Sequence, residues 1–387
     1  MPVLAGSVLE LPMGMLAGHG RRRHRVVLGG GLAFILALAG AALARTLPEL
    51  LFAFIAFYPA SGAFVSLTQA ELMDAFPDRR AQHMARWDLA GSAGAAAGPL
   101  VVAAVLASGG GWRGAYLVLA GLSAVAWLGM CRRGAATSAG ADRGEADPAG
   151  TGSDGAGSDG AGSDGADPGG AGSDGADLEG ADPDGADPGE PGPAGPAGRR
   201  PWAARAREVI AAVRGGGTLR WLVLLEVADL LLDVLTGFVA LYLVDVAHAT
   251  PAVAAVGMTV RLAAGLAGDA GCVFVLERAG DLAVLRATAV AAALLYPGFL
   301  LVPGLLPKLA ALAALTAATS PWYPVLQARL YGSLPGRSPV AVTLSSAAAM
   351  AGGLGPLAVG LIAQAAGLPW ALACLTVVPL VILAVSR

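Results

Sequence analysis

Glu226, Asp229 and Asp233 fall inside an otherwise apolar run, Trp221 to Val246. Spacings of three and seven put all three on one face of a helix, within about 60° at 100° per residue. Carboxylates in hydrocarbon are costly and as a rule face a cavity or a partner. Three on one stripe repel one another, so the stripe is suited to taking up and releasing protons. Arg261 lies ten residues into the next apolar run. At 1.5 Å per residue its depth differs from that of Asp233 by about 5 Å, within reach of an arginine side chain. An Asp233–Arg261 pair that opens on protonation or ligand binding is the sharpest expectation these residues support. A structural role competes: Glu226 is near the helix start and is expected to be wet, and Asp229 can cap a neighbouring helix.

Two further runs carry polar and aromatic groups suited to a cavity wall. One holds Tyr58, Pro59, Ser66, Thr68 and Gln69; the other holds Thr316, Thr319, Ser320, Trp322, Tyr323 and Gln327. Each has a Tyr-Pro step, and proline frees a carbonyl and kinks a helix. The competing reading is that Ser and Thr merely knit helices together. Asp88, beside Trp87, is expected at the interface with Arg86, and Glu10 is a lesser candidate. Nothing else in the chain carries enzyme chemistry. No Walker loop, zinc-protease motif, Ser-His-Asp arrangement or cofactor fingerprint is present, so no enzyme activity, cofactor or metal is expected. Cys131, Cys272 and Cys374 lie in or beside apolar runs without metal spacing and read as small core residues.

These groups must be positioned by helices that cross a bilayer. The chain is 56% hydrophobic and 14% charged, with mean hydropathy +0.65, against about 25% charged in soluble domains. A span needs about 20 apolar residues, and eleven candidates appear: Met1 to Gly18, Val26 to Ala44, Leu50 to Met73, Trp87 to Ala107, Trp112 to Cys131, Trp221 to Val246, Pro251 to Leu276, Asp281 to Pro303, Leu306 to Leu330, Pro339 to Ala365 and Pro369 to Ser386. Between the fifth and sixth lies an acidic Gly/Ala/Asp/Pro stretch with repeats such as GSDGAGSDGAGSDGADPGG, which has nothing from which to build a core and is expected to be disordered. The expected organisation is therefore a five-helix bundle over residues 1–133, a linker over 134–200 and a six-helix bundle over 201–387.

Residues 134–198 hold fourteen of the 28 acidic residues and one base, Arg143, leaving 24 bases against 14 acids elsewhere. Twenty-one bases fall in loops on one side, and only Arg45, Arg113 and Lys308 on the other. The basic side, with the linker and the carboxyl terminus, is thus expected to be cytoplasmic. The arginine clusters are explained by topology, and no nucleic-acid partner is expected. The same alternation places Met1 outside, which suggests that a first helix is absent from this sequence; a true eleven-helix protein is the alternative.

The two blocks echo each other. Gly94-Ala-Ala-Ala-Gly98-Pro99 is followed thirteen residues later by Trp112, and Gly352-Gly-Leu-Gly355-Pro356 fourteen residues later by Trp370. Order, spacing and topology together indicate a duplicated half. With Gly14-Met-Leu-Ala-Gly18-His19-Gly20-Arg21-Arg22-Arg23, and Gly265-Leu-Ala-Gly268-Asp269 as its repeat, the sequence resembles the major facilitator superfamily of secondary transporters. The glycine and the arginines of that family's signature match, whereas its aspartate position holds Gly18. Gly98-Pro99 is similar to its glycine-proline motif.

The resemblance implies an all-α polytopic membrane protein of two pseudo-repeated bundles. These would rock about a midplane site, with Gly14, Arg21, Arg22, Gly98, Pro99, Gly355 and Pro356 in gating positions. Glu226, Asp229, Asp233, Arg261 and Asp269 would bind protons or substrate, and Tyr58, Gln69, Trp322, Tyr323 and Gln327 would line the cavity. The Ala/Gly-rich, Lys-poor composition suggests a bacterial cytoplasmic membrane, and the acidic stripe points to export of a small amphipathic or cationic compound against protons, by a protein expected to act as a monomer. Uptake of a metabolite, or a receptor that kept the fold without transport, are the alternatives.

Overall fold

The computed structural model describes residues 21–144, 207, 211 and 217–386; nothing is said of the side chains of Arg21, Arg22, Ala63 and residues 133–144. The described residues form helices, a single 3-10 turn (Pro77–Arg79) and no strand. The first block holds α1 (Arg21–Leu43), α2 (Leu47–Ala75), α3 (Arg80–Ala107) and α4 (Gly111–Gly144). The second holds α5 (Gly217–Asp245), α6 (Pro251–Leu276), α7 (Asp281–Leu301), α8 (Leu305–Thr319), α9 (Trp322–Gly332), α10 (Ser338–Gly352), α11 (Leu354–Ala366), α12 (Leu368–Cys374) and α13 (Val377–Val385).

Among the described residues ten segments are long and apolar enough to cross a membrane, from Arg23–Leu43 to Leu368–Val385. They coincide with the last ten of the eleven expected spans; Met1 to Gly18, with Glu10, lies outside the described residues. Three spans are broken helices. The α8–α9 break falls at Ser320-Pro321, three residues before the Tyr323-Pro324 step expected to bend it. Pro324 sits in the first turn of α9, where its missing N–H would have no helical partner anyway. By contrast Tyr58-Pro59 lies within an uninterrupted α2.

The chain divides into two compact units, residues 1–131 with 202–387, and residues 132–201. Both apolar blocks therefore fall in one unit. In the other, residues 132–144 are helical as the last part of α4. The linker expected from Gly134 thus begins as helix, because Ala135, Ala136 and Ala139 favour it.

Helix ends are fixed by local chemistry. Thr46 and Glu49 form a reciprocal capping box before α2, with Thr46 Oγ1 accepting from the Glu49 N–H at 3.4 Å. Thr250 accepts from the Val253 N–H ahead of Pro251 in α6. Small residues let helices approach where no hydrophobic driving force separates protein from lipid. At Gly268 a Cβ would fall 2.7 Å from the Ala317 Cα and within reach of Ser320 Oγ, so α6 and α8 cross backbone to backbone there.

Lys308 was legible in the sequence only as one of three bases on the sparse side. It is buried, and its Nζ donates to the Phe299 carbonyl (3.0 Å), the Leu300 carbonyl (2.9 Å) and the Tyr242 hydroxyl (3.0 Å). It therefore caps the end of α7 and ties it to α5. Replacing Lys308 with Met keeps the apolar stem and removes the donor from three buried acceptors. A loss of about 2 kcal/mol is expected, read as a lowered thermal unfolding midpoint of the detergent-solubilised protein; an unchanged midpoint would show the cap to be dispensable.

Candidate functional site

A cavity of about 420 Å³ opens between the two blocks. From the first block α3 supplies Trp87, Asp88, Gly91 and Ser92. From the second, α5 supplies Asp229, Leu232 and Asp233, α6 supplies Arg261 and Asp269, and α8, Ser320 and α9 supply Thr316, Thr319, Ser320 and Tyr323. The last four recur every three or four residues, which is one helix face. Four carboxylates and one guanidinium therefore share a small, partly aromatic chamber. Asp269 is buried, 7% exposed, and accepts a short hydrogen bond from Ser92 Oγ of the other block.

The acidic stripe is brought together only in part. Asp229 and Asp233 face the cavity, with Asp233 exposed to it. Glu226 does not line it. Its carboxylate lies against Gly352 of α10, where a Cβ would fall 2.0 Å from Oε2. Two turns of helix separate the two environments: α10 covers α5 at Glu226, whereas Asp233 opens onto the chamber.

The expected Asp233–Arg261 ion pair is not formed. Arg261 instead donates to Thr236 Oγ1. The offset of about 5 Å between Arg261 and Asp233 is three residues of helix, and Thr236, three residues on from Asp233, stands at the depth of Arg261. Asp88, expected beside Arg86 at the interface, lines the cavity.

Of the expected cavity wall, Tyr323 is in place. Gln69 lies buried at the junction of the blocks, donating to Met84 Sδ (3.1 Å) and the Tyr323 hydroxyl (3.3 Å). Trp322 is fully buried on the other face of α9, its indole N–H on Thr288 Oγ1 of α7 at 3.2 Å. Gln327 continues the Tyr323 face one turn further, where it is buried with Oε1 unpartnered among the described residues. Tyr58 packs edge-on against Phe57 and does not reach the chamber.

The expected gating residues differ in what they do. Gly14 lies outside the described residues, and Arg21 and Arg22 open α1. Gly98 and Pro99 are inside an unbroken α3, with nothing within 4 Å of the Gly98 Cβ position. Gly355 meets Leu230 of α5 at 2.6 Å from its Cβ position, with Pro356 following in the first turn of α11.

At the arginine-rich end the two blocks are joined by contacts that sequence reasoning missed. Arg23, 6% exposed, pairs with Asp74 at 2.7 Å and Glu71 at 3.6 Å and donates to Ser338 Oγ at 2.8 Å. Ser338 in turn donates to Asp74, joining α1 and α2 to the start of α10. Arg86 pairs with Glu277 at 2.8 Å, and Gln82 donates to the Leu276 carbonyl at 3.0 Å. Within the second block, Arg329 pairs with Asp281. The signal that could have found Arg23 is its place at the end of the signature run; its partners lie 51 and 315 positions away and leave no local pattern.

Comparison with known proteins follows the geometry. Over the whole chain the fold is similar to the E. coli fucose:proton symporter FucP, at 13% identity and TM-score 0.70, covering 100% of this chain and 88% of that one. It is also similar to the human organic anion transporter MFSD10, at 16% identity and TM-score 0.61, covering 100% and 82%. A bacterial homologue of the iron transporter ferroportin in an outward-facing state matches at 16% identity and TM-score 0.57, covering 100% and 87%. Comparison with curated protein sequences finds no match. The sequence profile of the Major Facilitator Superfamily matches residues 1–305, well over half of the chain; the protein belongs to that superfamily of transporters and is not an enzyme.

Proposed function

We propose that this transporter moves a small amphipathic or cationic compound across the membrane by alternating access, in exchange for protons. The observation that carries the reading is the central chamber, in which Asp88, Asp229, Asp233 and Asp269 face a single guanidinium, that of Arg261. An acidic chamber with Trp87 and Tyr323 in its wall suits a cation with an apolar body. Its carboxylates can give up that cation on taking a proton, which is the exchange that coupling requires. Across 100 mV one charge is worth about 2.3 kcal/mol, enough for a concentration ratio in the tens.

In this reading the arginine-rich end is cytoplasmic, as are the linker and the carboxyl terminus, and the protein acts as a monomer in a bacterial cytoplasmic membrane. The closed contacts at that end then make this the state open to the outside. The blocks are residues 1–133 and 201–387, with 134–200 a tether between them. Uptake is the second reading: two neighbours are described as fucose:proton and proton:xylose symporters, and Ser92, Thr316, Thr319 and Ser320 give the chamber the hydroxyl groups a sugar would use. Proteoliposome flux under an imposed pH gradient separates both from a receptor without transport.

Two outcomes are expected. Asp233→Asn should lose pH-driven flux of a cationic probe such as ethidium while folding normally; a wild-type rate with unaltered pH dependence would remove Asp233 from coupling. Asp74→Asn weakens the contact to Arg23 and Ser338, so the shut end should open more often. With Cys131 and Cys374 replaced by Ser, alkylation of Cys272, which is 3% exposed, should speed up severalfold. Equal rates would show that this contact does not hold the end closed.

A further inference from the structure

α5 is a wall with two sides. Asp229, Leu232 and Asp233 face the central chamber. Phe238, Leu241 and Asp245 lie about 150° round the helix from them at 100° per residue. This second side lines a separate slot of about 830 Å³. Opposite it stand Gly360, Ala363 and Gln364 of α11, a helix face of mostly small residues. At Gly360 a Cβ would be 3.9 Å from the Phe238 ring, ordinary contact distance, so α11 approaches α5 there through a residue without a side chain and the slot runs alongside that approach. Leu368 and Pro369 close it off at the start of α12.

The polar groups of the slot gather at one end. Asp245 ends α5 and forms no ion pair among the described residues. His248 stands just beyond it at φ 53°, the sole non-glycine residue with positive φ among the described residues. The turn it makes lets the Ala249 N–H reach the Leu243 carbonyl at 2.8 Å. Glycine fills such a helix-ending position at least cost. A histidine held there, at the slot wall, points to a use for the ring that outweighs the strain.

We infer that this slot binds a soluble amphipathic ammonium compound, its tail between Phe238 and the Gly360–Ala363 face and its head at Asp245. The charge of Asp245 in the slot wall selects a cation over an anion. The apolar length between α5 and α11 selects one with a chain. Because α5 lines both the slot and the chamber, a ligand here leans on the helix that carries Asp229 and Asp233. The inference stands apart from the reading of the chamber.

The test is equilibrium dialysis of radiolabelled decyltrimethylammonium against the full-length protein in phosphatidylcholine nanodiscs, with protein-free discs subtracted. Every chain carries Asp233→Asn, so that the chamber's own cation binding is suppressed. A saturable component is expected, weakened at least tenfold by Asp245→Asn and abolished by Ala363→Phe, which fills the slot. Decyl sulfate should show no such component. His248→Gly relieves the left-handed position, so it should keep or raise the unfolding temperature while lowering affinity severalfold. Binding unaffected by both Asp245→Asn and Ala363→Phe overturns the inference. So does a component that disappears when the discs contain phosphatidylethanolamine, since the slot would then belong to an aminolipid.

Discussion

A charge in hydrocarbon needs water, an opposite charge or a hydrogen-bond donor beside it, and that requirement decides where this chain can place its ionisable groups. Lys308 meets it with two helix-end carbonyls and a tyrosine hydroxyl. Arg23 meets it with Asp74, Glu71 and Ser338. Among the described residues the carboxylates of α3, α5 and α6 form no ion pair. Asp88, Asp229, Asp233 and Asp269 gather instead around a shared chamber, which has room for water beside them. A wet crevice is thus the condition on which those residues can be in the membrane at all.

The helix period made the stripe on α5 readable, because which residues share a face depends on sequence spacing alone. Depth and partner were not readable, because they depend on what the other helices bring to the same level. Glu226 and Asp233 share a face yet have different surroundings, since Gly352 lets α10 close over the first and not the second. Arg261 was placed at the correct level to about 5 Å, and at that level the group it meets is Thr236 rather than Asp233. Polarity misled on α9 for a related reason. Trp322 is amphipathic and suits a cavity wall by type, but its face turns to Thr288 and the packed interior of the second block.

The duplicated half was legible in its glycines and prolines, and the structure shows the two copies using them differently. Gly352 and Gly355 are tight contacts against α5, whereas the Cβ positions of Gly94 and Gly98 meet nothing within 4 Å among the described residues. The copies also carry a charge-reversed pair. In the first, a base at the start of α1 meets an acid near the end of α2, Arg23 with Asp74. In the second, an acid at the start of α7 meets a base in α9, Asp281 with Arg329. A pair can be inverted and still hold two helix ends together, so the sign is free to drift while the contact stays.

That freedom separates what must be kept from what need not be. Arg86 with Glu277 is an exposed pair and contributes about 0–1 kcal/mol, so the closing of the arginine-rich end cannot rest on it. Arg23 is the buried member of the set, and it touches both blocks through Asp74 and Ser338. A bond to a charged group of this kind is worth about 1.5–3 kcal/mol. One proton crossing 100 mV supplies about 2.3 kcal/mol, of the same size. If that end is the gate of the proposed proton exchange, one buried cation and a few weak contacts match the energy that would have to open it, whereas a dozen buried pairs would lock it shut.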